Sequence, residues 1–125
     1  MSTAQERLEL LLKAVGDAGN ILILPHNDPD PDAIASAVAL QYLLAESLQV
    51  KASIAYKGII GRAENKALVR YLGHPLHTLT DADLSRPMPV ALVDTQPSTG
   101  NHALPRTRTA AIVIDHHPLR EADPA

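Results

Sequence analysis

The stretch that decides the fold is Asn20-Ile21-Leu22-Ile23-Leu24-Pro25, followed by the polar turn His26-Asn27-Asp28-Pro29-Asp30-Pro31-Asp32. The apolar run is short, continuous and partly β-branched, a pattern typical of a strand that is buried on both faces, as in parallel sheets. Pro25 ends the run, and an alanine-rich helical pattern follows the turn. We therefore predict a buried parallel strand that a carboxylate-rich turn joins to a helix.

Further strand and helix patterns alternate along the chain. Apolar runs predict strands at residues 52–56, 76–79, 89–93 and 110–114. Helical periodicity covers the N-terminal segment up to Val15, residues 33–48 and residues 63–72. Strands that alternate with helices favour βαβ units. The predicted fold class is therefore α/β, a doubly wound, mainly parallel β-sheet flanked by helices, in a single domain over residues 1–125.

Capping patterns predict where two helices begin. Ser2 and Thr3, each followed three residues later by Gln or Glu, are typical of capping boxes. Asp32 is placed to cap the second helix. The residues of these two helices that we expect to face the core are Leu8, Leu11, Leu12, Val15, Ile34, Ala37, Val38, Leu44, Ala45 and Leu48.

The composition excludes several classes of protein. The chain has 125 residues, is 46% hydrophobic and carries a formal net charge of −3, so it is neither disordered nor drawn to duplex DNA. Without Cys it has no disulfides, thiolate metal sites or cysteine nucleophiles. No apolar run approaches the ~18 residues of a membrane span, and the charges at Glu6, Arg7 and Glu9 are unlike a signal peptide. We expect a soluble, cytoplasmic protein with neither duplex DNA nor a membrane among its partners.

Three predicted strands end in similar polar side chains. The first strand is followed by His26 and three aspartates, the strand at 89–93 by Asp94, and the strand at 110–114 by Asp115-His116-His117. In an open parallel sheet, ligands bind outside the carboxyl ends of the strands, so these side chains are expected along one rim. Clustered carboxylates repel one another and repel phosphate, whereas a divalent cation reverses that repulsion.

These residue types point to metal-assisted chemistry on phosphate. Carboxylate and imidazole ligands without sulfur suit Mn²⁺, Fe²⁺, Co²⁺ or Zn²⁺ better than Mg²⁺. Because Asp30 and Asp32 lie two residues apart, they can reach different ions from one turn. Two ions about 3.5–4 Å apart would polarise a phosphoryl group and generate hydroxide from bound water.

A purely structural role stays open for each of these residues. We expect one of Asp28, Asp30 and Asp32 to act only as a helix cap or turn residue. The His116-His117 pair is compatible with an ordinary surface position, and Asp94 with a turn cap. The residues that we expect to be solvated, with no role in a site, are His74, His77 and His102, which lack acidic neighbours, and Arg62 and Lys66.

Three ordered motifs resemble those of the DHH-family phosphoesterases. They are His26-Asn27-Asp28-Pro29-Asp30-Pro31-Asp32-Ala33-Ile34-Ala35-Ser36, Val93-Asp94-Thr95 and Asp115-His116-His117. The family contains RecJ-like single-strand exonucleases, nanoRNases, cyclic dinucleotide phosphodiesterases and family II inorganic pyrophosphatases. The resemblance covers residues 20–118 and implies that residues 1–125 are the N-terminal portion of a DHH domain.

The resemblance also implies a role for each motif residue. It implies two Mn²⁺ ions, with Co²⁺, Fe²⁺ or Mg²⁺ as alternatives, and a metal-bound hydroxide as nucleophile. The ligands implied for the first ion are His26, Asp30 and Asp94. Those implied for the second ion are Asp32, Asp94 and His116, which makes Asp94 the bridge. In the catalytic group, His117 would face the scissile phosphate and Asp115 would support the histidine pair.

The sequence departs from the family pattern in two respects. Pro31 and Ala35 stand where members often have Gly, and Pro31 is expected to stiffen the turn. The family also supplies a further Asp and a C-terminal substrate-binding domain from beyond the DHH motif, and neither lies in these 125 residues. No helix pattern follows Asp115 to cover the last strand. We therefore expect the front part of a larger protein, weak or inactive alone, whose full-length form is compatible with a homodimer.

The implied function is a manganese-dependent phosphoesterase that hydrolyses short oligonucleotides or nucleotide phosphates. Residues 94–101 resemble nanoRNase-type members more than pyrophosphatases, which leaves a family II-type inorganic pyrophosphatase as the enzymatic alternative. A non-catalytic metal-binding or regulatory module is a second alternative. A dinucleotide-binding Rossmann domain is disfavoured, because the first strand-to-helix turn carries carboxylates instead of the Gly-x-Gly-x-x-Gly fingerprint.

Overall fold

The computed structural model describes residues 3–15, 19–60, 63–73, 75–86, 88–105 and 107–115, apart from the side chains of residues 8, 63–65 and 71. Every predicted strand and helix is present, together with one further short helix. In chain order the elements are α1 (Ala4–Val15), β1 (Asn20–Pro25), α2 (Pro31–Leu48), β2 (Lys51–Tyr56), α3 (Ala63–Tyr71), β3 (Leu76–Thr78), α4 (Asp81–Ser85), β4 (Val90–Val93) and β5 (Ile112–Ile114). Across the described part of the chain, no helix combines the length and apolar character that crossing a membrane requires.

The five strands form one parallel sheet in the order β3-β2-β1-β4-β5. The predicted α/β fold, a parallel sheet flanked by helices, is therefore confirmed. The chain runs outward from β1 to β3 and then crosses back, so that β4 lies on the other side of β1. This reversal leaves a crevice at the carboxyl ends of β1 and β4, which is where open α/β sheets bind ligands.

Strand β1 is buried from both sides of the sheet. Ile21 and Ile23 pack in one cluster with residues of α1 and α2, including Val15. Leu22 and Leu24 pack on the opposite face with Leu104 and partly buried residues near α4. Because successive side chains of a strand point to opposite faces, a strand covered on both sides requires a continuous apolar run, as the sequence predicts.

Helix α2 begins at Pro31, two residues earlier than predicted. The prediction that Asp32 caps it was wrong, because Asp30 is the N-cap and Asp32 lies exposed in the first turn. Asp30 has extended backbone, with φ −90° and ψ 178°, and its Oδ1 accepts the Ala33 N–H at 2.9 Å. Proline explains the difference: the residue before a proline avoids the helical region, and proline itself suits the first helical position.

The buried face of α2 follows the predicted periodicity with one error. Ile34, Ala37 and Leu44 are fully buried, as expected. Ala45 was predicted to face the core but is exposed, whereas Leu40 is buried. Leu40 lies three residues after Ala37 and four before Leu44, so it shares their face, whereas Ala45 is rotated by about 100° from Leu44.

Helix α1 has the predicted cap and a narrower buried stripe. The Thr3 Oγ1 accepts the Glu6 N–H at 3.1 Å, which is one half of a capping box. Leu11 and Val15, four residues apart, pack against the core. Leu12 was predicted to face the core but is 46% exposed. Each helical residue is rotated by about 100° from its neighbour, which carries Leu12 off the stripe that Leu11 and Val15 define.

Strand β5 is more exposed than predicted. The sequence indicated a buried strand from residue 110, but β5 begins at Ile112, and Val113 and Ile114 are each 43% exposed. Within the described residues, β5 is the outermost strand and pairs with β4 alone. An apolar run alone does not distinguish a central strand from one at the edge of a sheet.

Helix α4 was not predicted, because five residues are too few to show a helical period. A capping box holds it: the Thr80 N–H donates to Asp83 Oδ2 at 2.9 Å, and the Asp83 N–H donates to Thr80 Oγ1 at 3.2 Å. The spacing of Thr80 and Asp83 was the one local signal for this helix.

His77 was wrongly predicted to lack an acidic partner. Its Nε2 lies 3.1 Å from Asp83 Oδ2, across the turn from β3 into α4. Burial raises the pKa of the Asp83 carboxyl, but hydrogen bonds from the Thr80 backbone and hydroxyl and the contact with His77 lower it by more. The pKa of Asp83 therefore lies below its usual value.

The other residues expected to be solvated divide into three groups. His102 is half-buried, and its Nε2 lies 2.8 Å from the Pro97 carbonyl oxygen, a contact that the prediction did not include. Lys66 is exposed, as expected. His74 and Arg62 lie outside the described residues.

We predict that Asp83→Ala lowers the free energy of unfolding by about 1–2 kcal/mol at pH 7, because the cap loses its charged acceptor. A carboxyl whose folded pKa is depressed stabilises the fold above its ordinary pKa, and this contribution is lost as the pH falls through the folded pKa. In urea unfolding, the difference from the wild type should therefore shrink below about pH 4. The control Asp81→Ala, in the same turn, should change stability by less than about 0.5 kcal/mol. A difference that stays constant down to low pH would contradict this role.

Candidate metal centre

Two loops meet at the crevice between β1 and β4. Pro25, the last residue of β1, pairs in register with Val93, the last residue of β4. The next residues, His26 and Asp94, leave the sheet side by side, with His26 Nε2 3.5 Å from Asp94 Oδ2. Asp30 completes the group, because its Oδ1 lies 3.6 Å from His26 Nε2. One ligand atom from each of the three residues lies within 4.8 Å of the others.

The ring of His26 is held so that Nε2 faces two carboxylates. Its Nδ1 lies 2.8 Å from the Asn27 carbonyl oxygen, and because a carbonyl only accepts, Nδ1 carries the proton in this contact. In the neutral ring, Nε2 then presents a lone pair to Asp30 and Asp94, which is repulsive unless positive charge lies between them. A cation bound between these atoms would remove this repulsion.

Asp94 is the buried member of the group. The residue is 6% exposed, and its N–H donates to the Ile114 carbonyl oxygen at 2.8 Å. Its φ of 59° lies in the left-handed region, which aspartate tolerates better than most residues. A buried carboxylate is unfavourable without compensating positive charge, and unusual backbone geometry often accompanies functional sites.

The donor set fits a divalent transition-metal ion. One imidazole nitrogen and two carboxylate oxygens, without sulfur, suit Mn²⁺, Fe²⁺, Co²⁺ or Zn²⁺. The hydrogen bond from His26 to the Asn27 carbonyl orients the ring, as outer partners of metal-bound histidines do. The side-chain Oδ1 of Asn27, the residue that follows His26, is buried and has no hydrogen-bond partner among the described residues.

Two other predicted site residues are described and are not members of this group. Asp32 is exposed and is not part of the three-residue group. Asp115, which follows β5, accepts a hydrogen bond from Gln96 Nε2 at 2.8 Å. His116 and His117 lie outside the described residues. The described part of the chain thus brings together one three-ligand group, and the ligands of a second ion stay a prediction.

Asp28 joins the turn after β1 to the turn after β2. Its Oδ1 accepts the Ile59 N–H at 2.7 Å, and its own N–H donates to the Lys57 carbonyl oxygen at 2.9 Å. The φ angles of Asp28 and Gly58 are 53° and 93°, and a Cβ at position 58 would lie 1.9 Å from Asp28 Oδ1. Asp28 is thus held by turn contacts, and only glycine fits opposite it.

The loop after β4 is fixed to the same edge of the sheet. Thr95 and Gln96 are 2% and 4% exposed. The Thr95 hydroxyl donates to Asn101 Oδ1, and the Asn101 carbonyl oxygen accepts the Asn27 N–H at 2.6 Å. From the sequence, these residues contributed only to the family resemblance, and their burial was not predicted, because polar residues after a strand ordinarily predict an exposed loop. Their position directly after a strand that ends at the rim was the available signal.

We predict that Gly58→Ala lowers the free energy of unfolding by about 2–4 kcal/mol, because it adds both a left-handed side chain and a clash with Asp28. Gly73→Ala is a matched control, since Gly73 has a φ of 80° but no atom of the described residues within 4 Å of its Cβ position. Gly73→Ala should lower the free energy of unfolding by only about 1–2 kcal/mol. Urea unfolding measures the free energy of unfolding of both variants. Equal decreases would mean that the clash with Asp28 does not add to the cost of a left-handed side chain.

Comparison with known proteins places this sequence in a family. A family model described as DHH family, N-terminal domain, matches residues 20–125, which include His26, Asp30 and Asp94. A relative from Methanocaldococcus jannaschii, described as uncharacterized protein MJ1633, is 46% identical over 97 residues. That match covers 78% of this chain and 20% of the relative, so the chain spans about a fifth of the relative's length. The chain belongs to the DHH family.

Proposed function

We propose that this chain forms the metal-binding part of a Mn²⁺-dependent phosphoesterase that hydrolyses short oligonucleotides or nucleotide phosphates. The observation that carries the proposal is the group of His26, Asp30 and Asp94 at the crevice between β1 and β4. Family membership supports the reaction class, and the position in the fold supports ligand binding at this crevice.

The proposed centre holds two ions that share Asp94. The ligands that we propose for the first ion are His26, Asp30 and Asp94, and those for the second are Asp32, Asp94 and His116. When bound, two such ions neutralise the charge of a phosphate ester and activate water for attack on phosphorus. Asp94 is suited to the shared position because it is buried and its backbone is bonded to Ile114.

The side chains of the group are oriented before any ligand arrives. His26 donates Nδ1–H to a backbone carbonyl, which fixes the direction of Nε2. Asp30 is held by the Ala33 N–H. Groups that are ordered in advance lose little conformational entropy on binding. For the reaction itself, we propose that His117 faces the scissile phosphate and that Asp115 supports the histidine pair.

Because the group and the chain are both negatively charged, we expect substrate binding to require bound metal ions. The two carboxylates of the group and the chain's formal net charge of −3 repel a phosphate ester. A divalent cation reverses the sign of the local potential. We therefore expect phosphate-containing substrates to bind only to the metal-loaded protein.

We predict that Asp94→Asn weakens Mn²⁺ binding at least about tenfold, because an amide of the same shape replaces the buried carboxylate. Isothermal titration calorimetry of Mn²⁺ into the full chain measures the effect. Asp81→Asn, which removes an exposed carboxylate on α4, is the control and should bind Mn²⁺ like the wild type. Equal affinities for Asp94→Asn and the wild type would contradict the proposed centre.

The substrate class is tested by incubating the whole protein with Mn²⁺ and either a dinucleotide or inorganic pyrophosphate. We expect mononucleotides from the dinucleotide, no hydrolysis of pyrophosphate, and no product with Asp94→Asn. Hydrolysis of pyrophosphate alone would establish the pyrophosphatase alternative. Stoichiometric Mn²⁺ binding with no hydrolysis of either compound would favour a non-catalytic module.

A further inference from the structure

Gln96 is a buried amide beside the candidate metal centre, outside the proposed ligand set. It lies two residues after Asp94, is 4% exposed, and donates from Nε2 to Asp115 Oδ2 at 2.8 Å. Most buried polar side chains have hydrogen-bond partners. This partner is 19 residues away in sequence, so the bond is a tertiary contact and not turn geometry.

The bond links the loops that follow β4 and β5. Val93 pairs in register with Ile114, and the Asp94 N–H donates to the Ile114 carbonyl oxygen at 2.8 Å. Asp94 and Asp115 therefore leave adjacent strands at the same edge of the sheet. Beyond that edge, the Gln96 side chain adds a second connection, so that a backbone bond and a side-chain bond together fix Asp115 relative to Asp94.

The chemical type of the donor matters here. A lysine or arginine at position 96 would also hold Asp115, but its positive charge would offset the charge of the carboxylate. A neutral amide donates a hydrogen bond, which is strong toward a charged acceptor, and does not itself offset the negative charge. Such a contact suits a carboxylate whose charge acts on a nearby cation.

We propose that Gln96 is a positioning residue that holds the Asp115 carboxylate near Asp94 and thereby raises the affinity of the centre for a divalent cation. The inference rests on the proposed function and assigns to it a residue outside the ligand set. Gln96 acts through Asp115, whose negative charge adds to the favourable Coulomb energy of a cation at the site. Outer partners of this kind commonly change metal affinity by about 10–100-fold.

A double-mutant cycle tests whether Gln96 acts through Asp115. Gln96→Met removes the donor at similar volume, and Asp115→Asn removes the charge. In Mn²⁺ calorimetry on the full chain, we expect Gln96→Met to weaken binding about tenfold and Asp115→Asn to weaken it at least as much. The double variant should bind no more weakly than Asp115→Asn, because the amide has no effect once its charged partner is gone.

A second set of variants separates this role from a purely structural one. Arg108 donates two hydrogen bonds, at 2.7 Å each, to the carbonyl oxygens of Leu84 and Met88. Arg108→Met should lower the free energy of unfolding and leave the Mn²⁺ affinity unchanged. Gln96→Asn keeps the amide but shortens its reach, so it should also weaken Mn²⁺ binding, and it replaces Gln96→Met if that variant does not fold.

Each outcome decides a different question. Wild-type Mn²⁺ affinity in the folded Gln96 variants, or additive losses in the cycle, would overturn the role of Gln96 and leave the metal centre intact. A wild-type chain that binds no Mn²⁺ would overturn the proposed centre, and this inference with it.

Discussion

The in-register pairing of β1 with β4 is the constraint on which the rest of the structure depends. Because the two strands end together, His26 and Asp94 emerge side by side. A slip of one residue would shift one loop along the edge by about 3.3 Å and turn every side chain of that strand to the other face. Core packing opposes the slip, since Ile23 and Leu24 are buried on opposite faces. The geometry of the site is therefore secured by apolar side chains that take no part in its chemistry.

Three aspartates of one turn have three different environments, and the backbone conformation sets the contacts of each. Asp28 bonds across to the Ile59 N–H, Asp30 caps α2 while facing His26, and Asp32 is exposed. Pro31 sets this pattern, since it starts the helix and makes the residue before it extended. The three carboxylates have the same chemistry, but the backbone directs each of them to different contacts. Only Asp30 is placed to cap the helix and face the imidazole at the same time.

Features set by the sheet were predictable from the sequence, and features set by single tertiary contacts were not. A strand covered on both faces requires an apolar run, and parallel strands bring their carboxyl ends to one edge, so the proximity of His26 and Asp94 followed from pattern and topology. The bond between Gln96 and Asp115 spans 19 residues and leaves no local pattern. The exposure of β5 depends on its place at the edge of the sheet, which an apolar run does not record.

The turn after β1 reverses the usual electrostatics of this architecture. In dinucleotide-binding α/β folds, a glycine-rich turn lets the helix N-terminus receive a phosphate through its free N–H groups. Here the corresponding helix α2 is capped by the protein's own carboxylate, because Asp30 accepts the Ala33 N–H. That carboxylate also faces His26, which contacts Asp94 as well, so the crevice gathers negative charge where related folds present positive charge. A phosphate that approached such a crevice would meet this negative charge unless a cation lay between them, which is why we propose a metal-dependent centre here.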